Sequence, residues 1–150
     1  MKKIIKQLIL VYFIIVIAKA ILTYFVPAPS AFSDGYIYSK LARSIFFGFE
    51  YTLHNLVHNH YHPIYPLILS PAYLFGKMAV VYPVMKVINS ITSSLIIFPA
   101  FLLAKEFLSS KKAFYITILI ALIPPSFIFS SYLLAENLFY PIFLLTFYFI

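Results

Sequence analysis

Long apolar runs separated by short polar or proline-containing stretches dominate the chain. Residues 8–26 form one run of 19 residues, interrupted by Lys19 and closed by Pro27 and Pro29. A second covers residues 87–104 between Lys86 and Lys105, and a third residues 113–134, with Pro124 and Pro125 in its later half. A fourth begins after Glu136 and is still apolar at Ile150. About 20 apolar residues in a helix cross a bilayer, so the pattern predicts an all-α, polytopic membrane protein with about four transmembrane helices. The proline pair is expected to break or kink the third. Residues 63–76 are also apolar but number 14 and include three prolines, which fits a re-entrant or interfacial segment better than a span.

Composition strengthens this reading. The 150 residues are 63% hydrophobic and 20% aromatic, and 10% are charged, against about 25% in soluble domains. Lys and Arg outnumber Asp and Glu by 11 to 4, but the cations sit at the edges of the apolar runs. There they orient a membrane protein and meet lipid headgroups, so no nucleic-acid partner is expected. The chain has no cysteine, hence no disulfide framework or thiolate chemistry. Its start resembles a secretory signal, with Ala18-Lys19-Ala20 as a small-x-small site, yet the apolar run is too long for a signal core. It reads as an uncleaved first span, with Lys19 facing other protein because it lies too deep to snorkel fully.

Lys2, Lys3 and Lys6 put the N-terminus in the cytoplasm by the positive-inside rule. Residues 27–86 then form a long outer loop with short interfacial helices, and Lys105, Lys111 and Lys112 return to the cytoplasmic face. The chain is expected to be a single transmembrane domain over residues 1–150 in a cell membrane, the N-terminal part of a larger protein. Asn89, Ser90, Thr92, Ser93 and Ser94 favour close helix contacts in the second span.

In the outer loop, Ser33 is a good N-cap and Asp34 belongs to the first helical turn. Tyr38, Leu41, Ala42, Ile45 and Phe46 recur at helical spacing opposite Lys40, Arg43 and Ser44, predicting an amphipathic helix that ends near Gly48. Asp34 can be a capping residue or a general base. The four histidines crowd into "LHNLVHNHYHPIYP". Glu50, His54 and His58 at i, i+4 and i+8 share one face of a helix, a partial site for a divalent metal. In an extended segment His58, His60 and His62 share a side instead. The residues before Pro63 favour extended backbone, so His60 and His62 read more readily as substrate contacts, with Tyr36 beside them.

The order of these features resembles the N-terminal part of polytopic glycosyltransferases with the GT-C fold, in the branch of protein O-mannosyltransferases and aminoarabinose transferases. One span is followed by an acidic residue opening an interfacial helix ("SDGYIYSKLARSIFFGFEY"), then by "HPIYPLILSPAYLFG". A basic residue heads the second span ("MKVINSITSSLIIFPAFLLAKEFLSSKKA"), and a proline-containing third runs into "SSYLLAENLFY". The resemblance implies transfer of a sugar from a polyprenyl-phosphate donor to a lipid, protein or glycan hydroxyl on the outer face, with inversion. Asp34 matches the catalytic base. Lys86 matches a cation near the donor phosphate, a role Lys77 could share, although both also read as snorkelling boundary charges. Glu136 matches an acidic residue that binds acceptor or metal, or else it stabilises a helix N-terminus. Gly35 stands where the O-mannosyltransferases carry a second acid, and His62-Pro63 replaces a proline pair. Two other classes compete: a non-catalytic membrane scaffold or truncated paralogue, and, with only Lys19 deep in a span, a transporter fragment.

Overall fold

The computed structural model describes residues 2–26, 33–48, 50–54, 56–57 and 60–150. It is predominantly helical. Helix α1 spans Lys2–Tyr24, starting earlier than the apolar run because lysine and glutamine are good helix formers. Helix α2 covers Ser33–Gly48 with Asp34 in its first turn. Its predicted apolar stripe is the packed one: Tyr38, Leu41 and Ala42 are buried while Arg43 is exposed.

After α2 the chain forms a minimal antiparallel hairpin, β1 (Thr52–Leu53) and β2 (Leu56–Val57), pairing Leu53 with Leu56. His54 sits at its corner with φ of 52°, a left-handed conformation that tight hairpin turns require. Glu50 and His54 therefore do not share a helix face, because α2 has ended and the chain turns.

Helix α3 (Ile64–Leu69) continues as 3₁₀ turns through Ser70–Phe75, a 12-residue apolar segment well short of a span. It stops at Gly76, whose φ of 74° and ψ of −63° belong to a γ-turn. The Lys77 N–H closes the turn by donating to the Phe75 carbonyl at 2.9 Å.

Helix α4 (Met78–Ser94) begins nine residues before the apolar run read from the sequence and tolerates Pro83 inside it. Helix α5 (Ile97–Phe107) follows after a short break at Leu95 and Ile96. Pro99 accounts for the break, since a proline ring clashes with the carbonyl four residues earlier and lacks the matching donor. The hydroxyls of α4 bond mainly inside their own helix: Ser90 donates to the Lys86 carbonyl at 3.0 Å and Ser94 to the Ser90 carbonyl at 2.6 Å. This satisfies them in apolar surroundings.

The third run is divided into α6 (Ser110–Ala121) and α7 (Pro124–Phe129), with Ile123 extended as the residue before a proline tends to be. Helix α8 (Glu136–Phe149) has 14 residues, about 21 Å at 1.5 Å per residue. Among the described residues two helices are long and apolar enough to cross a membrane, Lys3–Tyr24 and Met78–Phe107. Their apolar character points to membrane association.

Two clusters hold these elements together. Leu8 and Ile15 of α1 pack with Ile97 and Phe101 of α5 and with Ala113 and Ala121 of α6. Tyr38 and Ala42 of α2 pack with Tyr65 and Leu69 of α3, Val81 and Met85 of α4, and Leu133. This second cluster brings the start of α2 close to the start of α8.

Candidate functional site

Asp34 and Glu136, 102 positions apart in sequence, line the same open cleft of about 370 Å³ together with Tyr38, Ala135, Phe139 and Tyr140. Each carboxylate opens a helix, where the N-terminal dipole favours negative charge. Both are half-buried.

Asp34 is held from the side by Tyr61, whose hydroxyl donates to Oδ1 at 2.7 Å. Tyr61 is itself fixed: the Tyr51 hydroxyl donates to its carbonyl at 2.6 Å, and its ring meets Tyr38 edge-on with centroids 5.1 Å apart. The hydrogen bond to Asp34 is the main reason the Tyr61 hydroxyl is pushed above its ordinary pKa, since the carboxylate favours the protonated phenol. Tyr38 is pushed up to about 12, first by burial and then by the charges of Asp34 and Glu136. Both phenols therefore remain donors at neutral pH.

The line of aromatic and amide groups continues inward. Tyr38 stacks edge-on with Tyr65 at 4.8 Å, and the buried Tyr65 hydroxyl donates to Asn89 Oδ1 at 2.9 Å. The Asn89 amide donates onward to the Tyr132 carbonyl at 2.8 Å. The Asn137 amide lies within hydrogen-bond distance of the carbonyls of Phe129, Tyr132 and Leu134. Asn89 and Asn137 thus fold the turn that presents Glu136, and Asn89 connects that turn through tyrosines to Asp34. On the other side of α2, the Tyr73 hydroxyl donates to the Ser39 carbonyl at 2.8 Å and lies 3.0 Å from Ser39 Oγ, locking α2 onto the 3₁₀ segment.

The remaining residues singled out in the sequence stand elsewhere. Lys86 is buried, and its ammonium donates to the carbonyls of Thr23 and Val26 at 2.8 Å each. It satisfies the C-terminal end of α1 and lines the groove between α1 and α4. Lys77 is exposed at the start of α4. His60 and His62 are both exposed beside Tyr61. Tyr36 is exposed and lines a cleft with Lys40 and Arg43.

Glu50 and His54 line a polar cleft that also contains Lys40 and Arg43, whose charges oppose a bound cation. His58 lies outside the described residues. Among the described residues no group of three or more His, Asp and Glu side chains gathers as a metal centre.

Lys19 is fully buried, as its depth in the first run implied, and donates to Ser93 Oγ at 2.9 Å and Ser126 Oγ at 3.2 Å. Tyr61, Tyr65, Asn89 and Asn137 were not distinguishable as site residues from sequence, although the tyrosines interleaved with histidine and proline in "HYHPIY" were a signal. No family model, no curated protein and no solved structure matches this chain.

Proposed function

We propose that the chain is a membrane-embedded glycosyltransferase domain that moves a sugar from a polyprenyl-phosphate donor to an acceptor hydroxyl, with inversion, on the outer face of the membrane. The observation that carries this reading is the convergence of Asp34 and Glu136 on one open cleft, with Asp34 gripped by the Tyr61 hydroxyl. A general base must be reachable by substrate and within hydrogen-bond distance of the proton that it removes. A carboxylate anchored through one oxygen keeps the other for that task.

In the proposed step the Asp34 carboxylate accepts the proton of the acceptor hydroxyl. The acceptor oxygen bonds to the anomeric carbon from the face opposite the donor phosphate. The bond from that carbon to the phosphate oxygen breaks, and polyprenyl phosphate leaves with the bonding electrons. Glu136 accepts hydrogen bonds from sugar or acceptor hydroxyls. Lys86, whose ammonium is engaged by the carbonyls of Thr23 and Val26, is not given the role of phosphate partner.

In this reading residues 110–129 are a third span and α8, at 14 residues, covers part of a fourth, giving about four in a multi-pass protein with a cytoplasmic N-terminus.

Asp34→Asn in the full-length protein tests the base. Transfer from a lipid-linked donor should fall by about 10²- to 10⁴-fold, with protein level and thermal midpoint unchanged. Transfer within twofold of wild type would remove Asp34 from this role.

A further inference from the structure

Three depressions have overlapping walls, and two of them lie on the side of α2 opposite Asp34. Between α1 and α4 lies the largest, a groove of about 630 Å³ walled by Ala20, Thr23 and Tyr24 on one side and by Ala79, Tyr82 and Pro83 on the other. It is mainly apolar, and Lys86 at its wall is turned to the carbonyls of Thr23 and Val26. Met78 and Tyr82 are shared with a second cleft, of about 270 Å³, which Tyr36, Ser39 and Tyr73 also line. Lys40 and Arg43 line that cleft and a third of about 410 Å³, where the walls become polar with Ser44, Thr52 and His54.

The sequence of surfaces is thus apolar groove, aromatic constriction, cation pair and polar opening. Asp34 and Arg43 are nine positions apart, about two and a half helical turns, so the pair faces away from the carboxylate cleft. Lys40 Nζ lies 5.5 Å from the Tyr36 ring and Arg43 Cζ 5.9 Å from the Phe47 ring. Aromatic rings beside cations suit the level of lipid headgroups. Each depression except the smallest falls in the size range of small-molecule sites, about 300–1,000 Å³.

We propose that this tract binds an anionic phospholipid, with an acyl chain in the α1–α4 groove and the phosphate against Lys40 and Arg43. Charge complementarity selects the occupant. A zwitterionic lipid carries its own cation to the same place and gains less, whereas an anionic headgroup gains from both side chains. Glu50 also lines the polar opening and opposes the anion, leaving one net positive charge among these three. The site goes beyond the sugar-transfer reading and does not depend on it, because it uses neither Asp34 nor Glu136.

The test uses the full chain in detergent micelles, with retention of phosphatidylglycerol or phosphatidylcholine measured by native mass spectrometry. At about fivefold per net positive charge, wild type should prefer phosphatidylglycerol by about fivefold. Lys40→Gln with Arg43→Gln should abolish the preference, and the charge-conserving pair Lys40→Arg with Arg43→Lys should keep it. Glu50→Gln should raise phosphatidylglycerol retention, and Ala79→Trp, which fills the groove, should lower retention of both lipids. No preference in wild type, or its persistence in the double glutamine variant, would overturn the proposal. So would displacement of phosphatidylglycerol by millimolar inorganic phosphate, which would mark a free-phosphate site. Loss of sugar transfer in Asp34→Asn with an unchanged lipid preference would leave both readings standing separately.

Discussion

The Tyr61 hydroxyl donates to Asp34 Oδ1 at 2.7 Å, joining the histidine-rich turn to the first turn of α2. Tyr61→Phe removes only this oxygen and keeps the edge-on contact with Tyr38. If Asp34 is the base, the variant should lose about 10-fold or more in kcat with KM little changed, because a freer carboxylate spends less time in the reactive geometry. Steady-state kinetics on the full-length protein measure the split. A variant whose KM alone rises would make Tyr61 a substrate contact.

Asn89 is the fully buried hinge of the network, bonded to Tyr65 on one side and to the Tyr132 carbonyl on the other. Asn89→Ala leaves the buried Tyr65 hydroxyl unmatched, worth about 1–3 kcal/mol, while the Tyr132 carbonyl keeps the Leu134 N–H and the Asn137 amide as donors, so the thermal midpoint in detergent should fall by a few degrees. Tyr65→Phe should cost less, about 1 kcal/mol. The double variant should be less destabilised than the sum of the two, since the lost bond is counted once.

Some of this architecture was legible in the sequence and some was not, for identifiable reasons. The extent of α2 followed from the apolar period of Tyr38, Leu41, Ala42 and Ile45 and from the Ser-Asp start. The division of the third apolar run followed from Pro124 and Pro125, because a proline's effect on its neighbours is local. The hairpin over residues 52–57 did not follow. The spacing of Glu50, His54 and His58 satisfies a helix, and what reverses the chain is the left-handed His54 corner and the pairing of Leu53 with Leu56. The clustering of Asp34 with Glu136 was equally invisible, since it depends on packing Tyr38, Tyr65 and Leu133 across three distant segments. Lys86 shows the same limit. Its place beside an apolar run suited a phosphate ligand, and only the return of α1 reveals the two carbonyls that it serves.

Gly76 carries the turn between the 3₁₀ segment and α4. An added Cβ meets nothing within 4 Å, so any penalty comes from the backbone at φ +74° alone. Gly76→Ala should destabilise by about 1–2 kcal/mol, measured as a lower thermal midpoint. A neutral result would mean that the turn relaxes into another conformation at little cost.

Lys19 is fully buried with two serine hydroxyls as hydrogen-bond partners and the Phe127 ring 5.7 Å from its ammonium. Buried charges are often dispensable for stability when an apolar side chain of similar size replaces them, so Lys19→Met should leave the thermal midpoint unchanged or raise it. Buried ionisable groups inside membrane helices are usually there for function. A stable Lys19→Met protein with lowered transfer would therefore assign the lysine to activity, and a stable, fully active one would confine it to packing.

The proposed topology can be read directly, because the chain has no cysteine and any single one introduced is unambiguous. His62 and Ser109 are both exposed and lie on either side of the Met78–Phe107 helix. If that helix crosses the bilayer once and the lysines of α1 hold the N-terminus inside, His62→Cys should react with an impermeant maleimide on intact cells. Ser109→Cys should react only after the membrane is opened. The reverse pattern would invert the protein and place Asp34 in the cytoplasm, where transfer to an outer-face acceptor is excluded. Labelling of both positions on intact cells would mean that Met78–Phe107 does not cross, leaving α1 as the helix that anchors the chain.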